Sequence, residues 1–372
     1  GKNHSWKFSI AGQTPQELFF HPSTSYGPPI IYEILQEDGE PFLSGRTSGN
    51  DKLIIVGNNF GAANHPTKHP LVTYGVDLVY GMVYTNDTIL SNSIFQGSSC
   101  SVTTAHTEIT CYTAEGAGAA YLLQLILDDQ PSIVATTTYA VPVITSIDGP
   151  GSRGAIEDGN QVIYIHGKNF GPNKTSSKSF LESVMYGEDG SEYIAPCVLH
   201  SHTLIKCTTV PGSGVNLIWR VTVFGQTSLI TPEGRTSYAA PVIFDTYPNA
   251  VGTVGFEIVR LKGSNFGLAD SSKHPVFTSI KIKYQNNIYE VEIDRTKSAS
   301  GIYYSRVIDY GLHTVAFRSP MLECIICDPF FSARIQLKTN AGIELCSPWV
   351  NIFFNEPIID QIYVTDGITT LS

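Results

Sequence analysis

The chain has 372 residues, 42% of them hydrophobic and 15% charged, with 33 glycines and 21 prolines. That length exceeds one core, which stops growing near roughly 250 residues, and the composition suits a turn-rich all-β protein rather than disorder. A formal net charge of −10 offers no basic footprint for nucleic acid. No apolar run of about 18 residues is present to span a bilayer, so any anchor or secretion signal is expected outside these residues.

Taken in chain order, residues 1–27 read as the last hairpin of a repeat. Trp6-Lys7-Phe8-Ser9-Ile10-Ala11-Gly12-Gln13-Thr14, leading to Ser25-Tyr26, parallels Trp219-Arg220-Val221-Thr222-Val223-Phe224-Gly225-Gln226-Thr227, leading to Ser237-Tyr238. Residues 28–140 then open with Pro29-Ile30-Ile31-Tyr32, residues 141–239 with Pro142-Val143-Ile144-Thr145, and residues 240–355 with Pro241-Val242-Ile243-Phe244. Residues 356–372 begin a further copy at Pro357-Ile358-Ile359-Asp360. An aromatic residue stands three places before each proline, at Tyr26, Tyr139, Tyr238 and Phe354, which marks a closing strand upstream of every boundary. From Pro29 to Pro142 is 113 residues, from Pro142 to Pro241 is 99, and from Pro241 to Pro357 is 116. A unit of about 100 residues with short alternating strands, such as 218–223 and 280–284, fits a tandem immunoglobulin-like β-sandwich array.

Each of the three whole repeats carries a second landmark after an apolar strand: Gly57-Asn58-Asn59-Phe60-Gly61, Gly167-Lys168-Asn169-Phe170-Gly171 and Gly263-Ser264-Asn265-Phe266-Gly267. Glycine and asparagine suit a tight turn with positive φ, and the phenylalanine is expected to fold back and plug the end of the sandwich. A phosphate-binding loop is not expected, because a polar, proline-punctuated stretch follows instead of a helix.

The seven cysteines include two close pairs, Cys100 with Cys111 and Cys197 with Cys207, at matching places in two repeats. Such spacing predicts disulfides between neighbouring strands and an oxidising compartment. Buried thiols of a cytosolic protein are the alternative, but they leave the repetition of the spacing unexplained. Three Asn-x-Ser/Thr triplets, at Asn3, Asn86 and Asn173, are glycan acceptors in a secreted protein.

The proline openings, the Gly-x-Asn-Phe-Gly turns and the stretch Ile205-Lys206-Cys207-Thr208 before Pro211-Gly212-Ser213-Gly214 resemble the IPT/TIG repeat, an early-set Ig-like sandwich found in plexins and hepatocyte-growth-factor-type receptors. In flavour the chain is most similar to the transmembrane IPT, Ig and E-set (Tgr) proteins of social amoebae. That resemblance implies a glycosylated cell-surface ectodomain of a single-pass membrane protein, used in cell–cell adhesion and allorecognition. The implied partner is a protein, a related array on a neighbouring cell, bound homophilically or heterophilically. A passive stalk and a plexin-like signalling ectodomain are the alternatives.

Repeat three departs from the pattern. Cys327 of Cys324-Ile325-Ile326-Cys327 aligns with Cys111 and Cys207, but the upstream partner is missing, and Cys346 stands as a further candidate for a bond to Cys324 or Cys327.

Little points to chemistry. His65 and His69 would suit a helical metal pair, yet Pro66 and Pro70 forbid the helix, and Lys68-His69-Pro70 recurs as Lys273-His274-Pro275, a loop feature. His200 and His202 alternate on an expected strand among surface residues, and Asp128-Asp129 and Glu37-Asp38 read as solvated turns. No nucleophile elbow or EF-hand spacing occurs, so the expectation is a non-enzyme with no cofactor and no metal. Binding is expected instead in the segments that lengthen repeats one and three: Tyr303, Tyr304, Arg306 and Tyr310 within 298–313, and Phe42 and Arg46 within 36–51. Tyrosine and arginine are over-represented at interface hot spots, while the plain alternative is that these residues face a core.

Overall fold

The computed structural model describes residues 1–6, 9–13, 23–65, 69–77, 95–132, 135–173, 179–267, 277–292, 307–310, 314–319, 328–338, 343–358, 362–363 and 370–371. The described residues are all-β, with no helix among them. Three similar sandwiches succeed one another, each a pair of sheets with its own core.

Repeat two shows the plan. One sheet runs in the order Val143–Asp148, Val162–Lys168, Leu204–Thr208, Cys197–Ser201. The facing sheet runs Arg153–Ala155, Arg235–Tyr238, Leu217–Val223, Leu181–Gly187, Tyr193–Ile194. All pairs are antiparallel except Arg153–Ala155 against Arg235–Tyr238, where the chain crosses between sheets and pairs in parallel. Strict alternation of buried and half-buried residues along Leu217–Val223 places Leu217, Trp219, Val221 and Val223 inside. The same four-stranded order recurs in repeat one as Ile30–Leu35, Lys52–Asn58, Glu108–Tyr112, Ser98–Thr104, and in repeat three as Val242–Tyr247, Ile258–Ser264, Thr314–Arg318, Val307–Tyr310.

The repeated glycine turn has a two-part physical basis. Asn59, Asn169 and Asn265 sit in the left-handed region (φ 65°, 63° and 60°), and each donates its side-chain amide to the linker carbonyl before the opening proline, at Pro28, Val141 and Ala240. The phenylalanine rings of Phe60, Phe170 and Phe266 are buried. The first glycine of each motif serves close approach instead of positive φ. A Cβ on Gly167 would lie 2.1 Å from the Val143 carbonyl oxygen and 2.3 Å from Phe170 Cζ.

Cys100–Cys111 and Cys197–Cys207 form disulfides, each between adjacent strands of one sheet, with Cys197 directly opposite Cys207. Loops this short contribute somewhat under about 3 kcal/mol each in the chain-entropy account. In repeat three the strand register corrects the sequence alignment. Cys207 pairs with Ile163 and Cys111 with Leu53, but the residue opposite the equivalent Val259 is Phe317, with Val307 as its neighbour across the ladder. The Cys111 and Cys207 position is thus held by a buried phenylalanine and not by Cys327. Cys346 is a free, half-buried thiol, contrary to the expected pairing, and Cys324 and Cys327 lie outside the described residues.

In repeats one and two a pair of tyrosines holds the backbone two residues past a strand of the four-stranded sheet. Tyr186 and Tyr238 share a hydroxyl contact of 2.6 Å, Tyr238 donates to the Val210 carbonyl, and the Val210 N–H donates to Tyr186. Tyr74, Tyr139 and Ala114 repeat the arrangement. Repeat three has Tyr284 against Phe354, edge to face at 6.1 Å, and the phenylalanine has no hydroxyl to share.

Burial pushes the Tyr193 phenol up to about 12, and the same cause raises Tyr74, Tyr139, Tyr186 and Tyr238. The folded state therefore holds these protons more tightly than the unfolded chain, where tyrosine titrates near about 10. This stability is whole below about pH 10 and is lost as pH rises through about 12. An alkaline titration should show tyrosinate absorbance in two steps. The later step belongs to the buried set, which ionises only together with loss of the β-sheet circular dichroism. A single early step on a still-folded protein would contradict this packing.

Candidate functional site

The most constrained polar chemistry lies where one repeat meets the next. At the joint between repeats two and three, Glu157 is 2% exposed, and its carboxylate accepts the Asn265 N–H at 2.6 Å and the Gly267 N–H at 3.0 Å. The Asn265 side-chain oxygen in turn accepts the Glu157 N–H at 3.3 Å. Left-handed backbone at Asn265 and Gly267 (φ 60° and 86°) turns both N–H groups to one side, making a small anion nest. The Gly-x-Asn-Phe-Gly turn is therefore both a core plug and a receptor for the preceding repeat.

At the joint between repeats one and two, the residue equivalent to Glu157 is Thr47, two places before the Gly49-Asn50 turn as Glu157 is before Gly159-Asn160. Thr47 is buried, and its hydroxyl meets His202 Nδ1 at 2.9 Å, while His202 Nε2 meets the Glu115 carboxylate at 2.6 Å. Ala117 enters the core of repeat two, and Phe180 and Phe224 pack back against Tyr121 and the core of repeat one. Gln226 donates to the Tyr139 carbonyl at 2.9 Å, and Gln130 donates to the Tyr26 carbonyl at 3.0 Å, so the tie between a glutamine and the upstream tyrosine occurs twice.

The histidine alternation read from the sequence ends at a register shift between Leu199 and Ser201. His200 is exposed, and His202 turns into the joint. His65 and His69 line a cleft of about 480 Å³ on repeat one with His4, Tyr26, Asn59 and His106. Among the described residues no group of three His, Cys, Asp or Glu side chains is placed to hold a metal ion.

The expected contact residues are scattered. Phe42 is half-buried against the core of repeat one, the plain alternative for this residue, and Arg46 is exposed and paired with Asp51 at 2.6 Å. Tyr303, Tyr304 and Arg306 lie outside the described residues, and Tyr310 ends the strand Val307–Tyr310. Of the three sequons, Asn3 and Asn173 are exposed, and Asn86 lies outside the described residues.

Exposed aromatic anchors stand elsewhere. The first strand of each repeat has a bulge after its second residue, and the bulged residues of repeats one and three, Tyr32 and Phe244, are turned out to solvent at 65% and 71% exposure. Tyr247, at the end of the strand carrying Phe244, is 66% exposed. The sequence reading missed these residues because the apolar opening looks like a core strand throughout.

Against known proteins, one match decides the fold family of the middle repeat. Residues 142–238 match the IPT/TIG domain. This IPT/TIG repeat shares its four-stranded sheet order and its glycine turn with both neighbours, so the whole described array is Ig-like. Solved structures similar to the chain include the plexin A4 full extracellular region, at 13% identity over 87% of this chain and 25% of that one, with a TM-score of 0.24. They also include chicken CNTN1 FN1-FN3 domains, at 10% identity over 88% of this chain and all of that one (100%), TM-score 0.20. A third is Dpr2 Ig1-Ig2 in complex with DIP-Theta Ig1-Ig3, at 13% identity over 88% and 99%, TM-score 0.21. The chain spans about a quarter of the plexin A4 region. No curated protein sequence matches it.

Proposed function

We propose that this chain is part of a non-enzymatic extracellular adhesion and recognition ectodomain that binds another protein, a related Ig-like array on a neighbouring cell. The observation that carries the reading is the pair of buried polar joints, Glu157 on the Asn265 turn and Thr47 on His202, in a disulfide-bonded Ig-like array. Joints of this kind hold successive sandwiches in fixed relation, so a surface spread over more than one repeat is presented without the added entropic cost of ordering the joint on binding. The bulge aromatics Tyr32 and Phe244, with Tyr247, supply large exposed aromatic anchors, the side-chain type that dominates interface energetics. Membrane attachment through a segment outside these residues and glycans at Asn3, Asn86 and Asn173 belong to the same reading.

The test is aggregation of beads coated with the glycosylated chain, alone, mixed with beads bearing related arrays, and mixed with cells of the producing organism. Clumping is expected in at least one arm and should fall at least tenfold in the Phe244→Ser/Tyr247→Ser double variant. Absence of clumping in every arm, from a folded sample, would overturn recognition and leave these repeats as a passive stalk.

A further inference from the structure

The joints leave the outer face of the four-stranded sheet open. Repeat two has a neighbour at each end, yet its outward Asp148 and Lys206 are exposed, and Tyr164 and His166 are half-buried. The joints are made instead by turns and hairpin ends, through Thr47, His202, Glu157 and Asn265. What a repeat presents on this face is therefore set by its own strands.

Repeats one and three present opposite chemistry at matching places. In repeat three, burial of Val259, Leu261, Val315 and Phe317 turns the alternate residues outward. Lys262 stands opposite Asp245, Arg260 opposite Tyr247, and Arg318 opposite Ile258, all six exposed. Neither Arg260 nor Lys262 has an ion-pair partner among the described residues. On a chain of formal net charge −10, such a basic face is the exception. In repeat one, burial of Leu53, Ile55 and Ile109 turns outward Val56, which lies between Glu33 and Glu108, and Ile54, which lies beside Leu35. Lys52 on the same face is already paired with Glu37 at 3.0 Å, so it does not offset these carboxylates. By register Val56 is the counterpart of Lys262 and Ile54 that of Arg260, and Glu33 and Asp245 each follow a bulge aromatic, Tyr32 and Phe244.

We propose that the outer face of repeat three docks, through Tyr247, Arg260 and Lys262, onto the outer face of repeat one of a second copy of this chain, through Glu33, Glu108 and the Ile54 and Val56 side chains. The inference rests on the recognition reading and names the partner and its face. Charge complementarity argues for the occupant, since the acidic counterpart of the basic face is carried by the chain itself. Arg260 and Lys262 are two residues apart on one strand, about 7 Å, whereas Glu33 and Glu108 are two strands apart, about 10 Å. The cations therefore run along a strand and the carboxylates across strands, so the two sheets meet with their strands crossed at a steep angle, and the long cationic side chains cover the difference in spacing. Tyr247 then lies over the aliphatic Ile54 and Val56 and supplies the apolar anchor, while the charges select the partner and the orientation. The two faces differ, so the contact is heterologous and copies can add in succession.

A charge exchange read by sedimentation velocity, from low micromolar to near-millimolar protein, tests this. The unaltered chain should grow with concentration beyond the monomer. Arg260→Glu/Lys262→Glu opposes two acidic faces and Glu33→Lys/Glu108→Lys opposes two basic ones, so each variant alone should lose about a hundredfold or more in affinity. The second variant carries less net negative charge than the unaltered chain, so its loss cannot come from general repulsion. An equimolar mixture of the two variants should associate again, because each basic face then has an acidic one to meet. No growth of the unaltered chain, growth that persists in either variant alone, or a mixture that stays monomeric overturns the self-contact. In that event, clumping of beads with cells of the producing organism leaves the recognition reading standing, with a different partner. Matching thermal melts of the three proteins show that the variants fold.

Discussion

Replacing Glu157 by glutamine is expected to weaken the joint between repeats two and three by about 3 kcal/mol, within the range for a charge-assisted hydrogen bond lost with its partner left buried. The substitution keeps the shape and volume of the side chain. One carboxylate oxygen becomes an NH₂ that points a donor at the N–H of Asn265 or Gly267, and those two N–H groups have been drawn out of water at a site 2% exposed. A loss from cavity formation is excluded by design, which glutamine does better than alanine. Calorimetry should show the unfolding of repeats two and three separating into distinct transitions, and small-angle scattering should show a broader distribution of maximum dimension. Thr47→Val, at the other joint, exchanges a hydroxyl for a methyl of the same shape and should lose only about 1 kcal/mol. If the glutamine variant matches the unaltered chain in both measurements, Glu157 does not fix the joint.

Gly167→Ala is expected to destabilise repeat two by on the order of 3 kcal/mol or more, the upper range for overpacking a closed core. The added Cβ would meet the Val143 carbonyl at 2.1 Å and the Phe170 ring at 2.3 Å. Neither can yield cheaply. Val143 belongs to a strand whose ladder pairs Ile144 with Gly167, and Phe170 is fully buried. Gly61→Ala, four residues into the corresponding motif of repeat one, makes the contrast. Nothing lies within 4 Å of its Cβ, and only the left-handed φ of 78° opposes it, so a loss of about 1 to 2 kcal/mol is expected. Denaturant midpoints of the two variants measure the difference. Equal losses would mean that backbone conformation, and not crowding, sets the glycine requirement at both places.

Much of this architecture is visible along the chain because it rests on local pattern. The alternation in Leu217–Val223, the proline openings and the repeated asparagine turn each depend on residues close in sequence, where side-chain period and backbone preference act directly. The close cysteine pairs belong to the same class, since a hairpin brings residues ten or eleven apart into register without help from the rest of the fold. The register of repeat three was not visible in that way. Cys327 lies ten residues beyond Phe317, and only the ladder to Ile258–Ser264 shows that the phenylalanine occupies the cysteine position.

The surfaces tell a sharper story. Tyr32 and Phe244 sit in runs of apolar residues that read as core, and a one-residue bulge, which leaves no mark in composition, turns them outward. Thr47 and Glu157 look like ordinary turn residues, and a partner 108 residues away makes Glu157 a buried anion. By itself, then, the sequence determined the sandwich class, the glycine turns and the two disulfide pairs, because short-range sterics and side-chain periodicity specify them. Tertiary structure alone decided which apolar residues face solvent, what replaces the missing disulfide and how one repeat grips the next. Those outcomes depend on burial and on polar groups satisfied across long separations, which no local window contains.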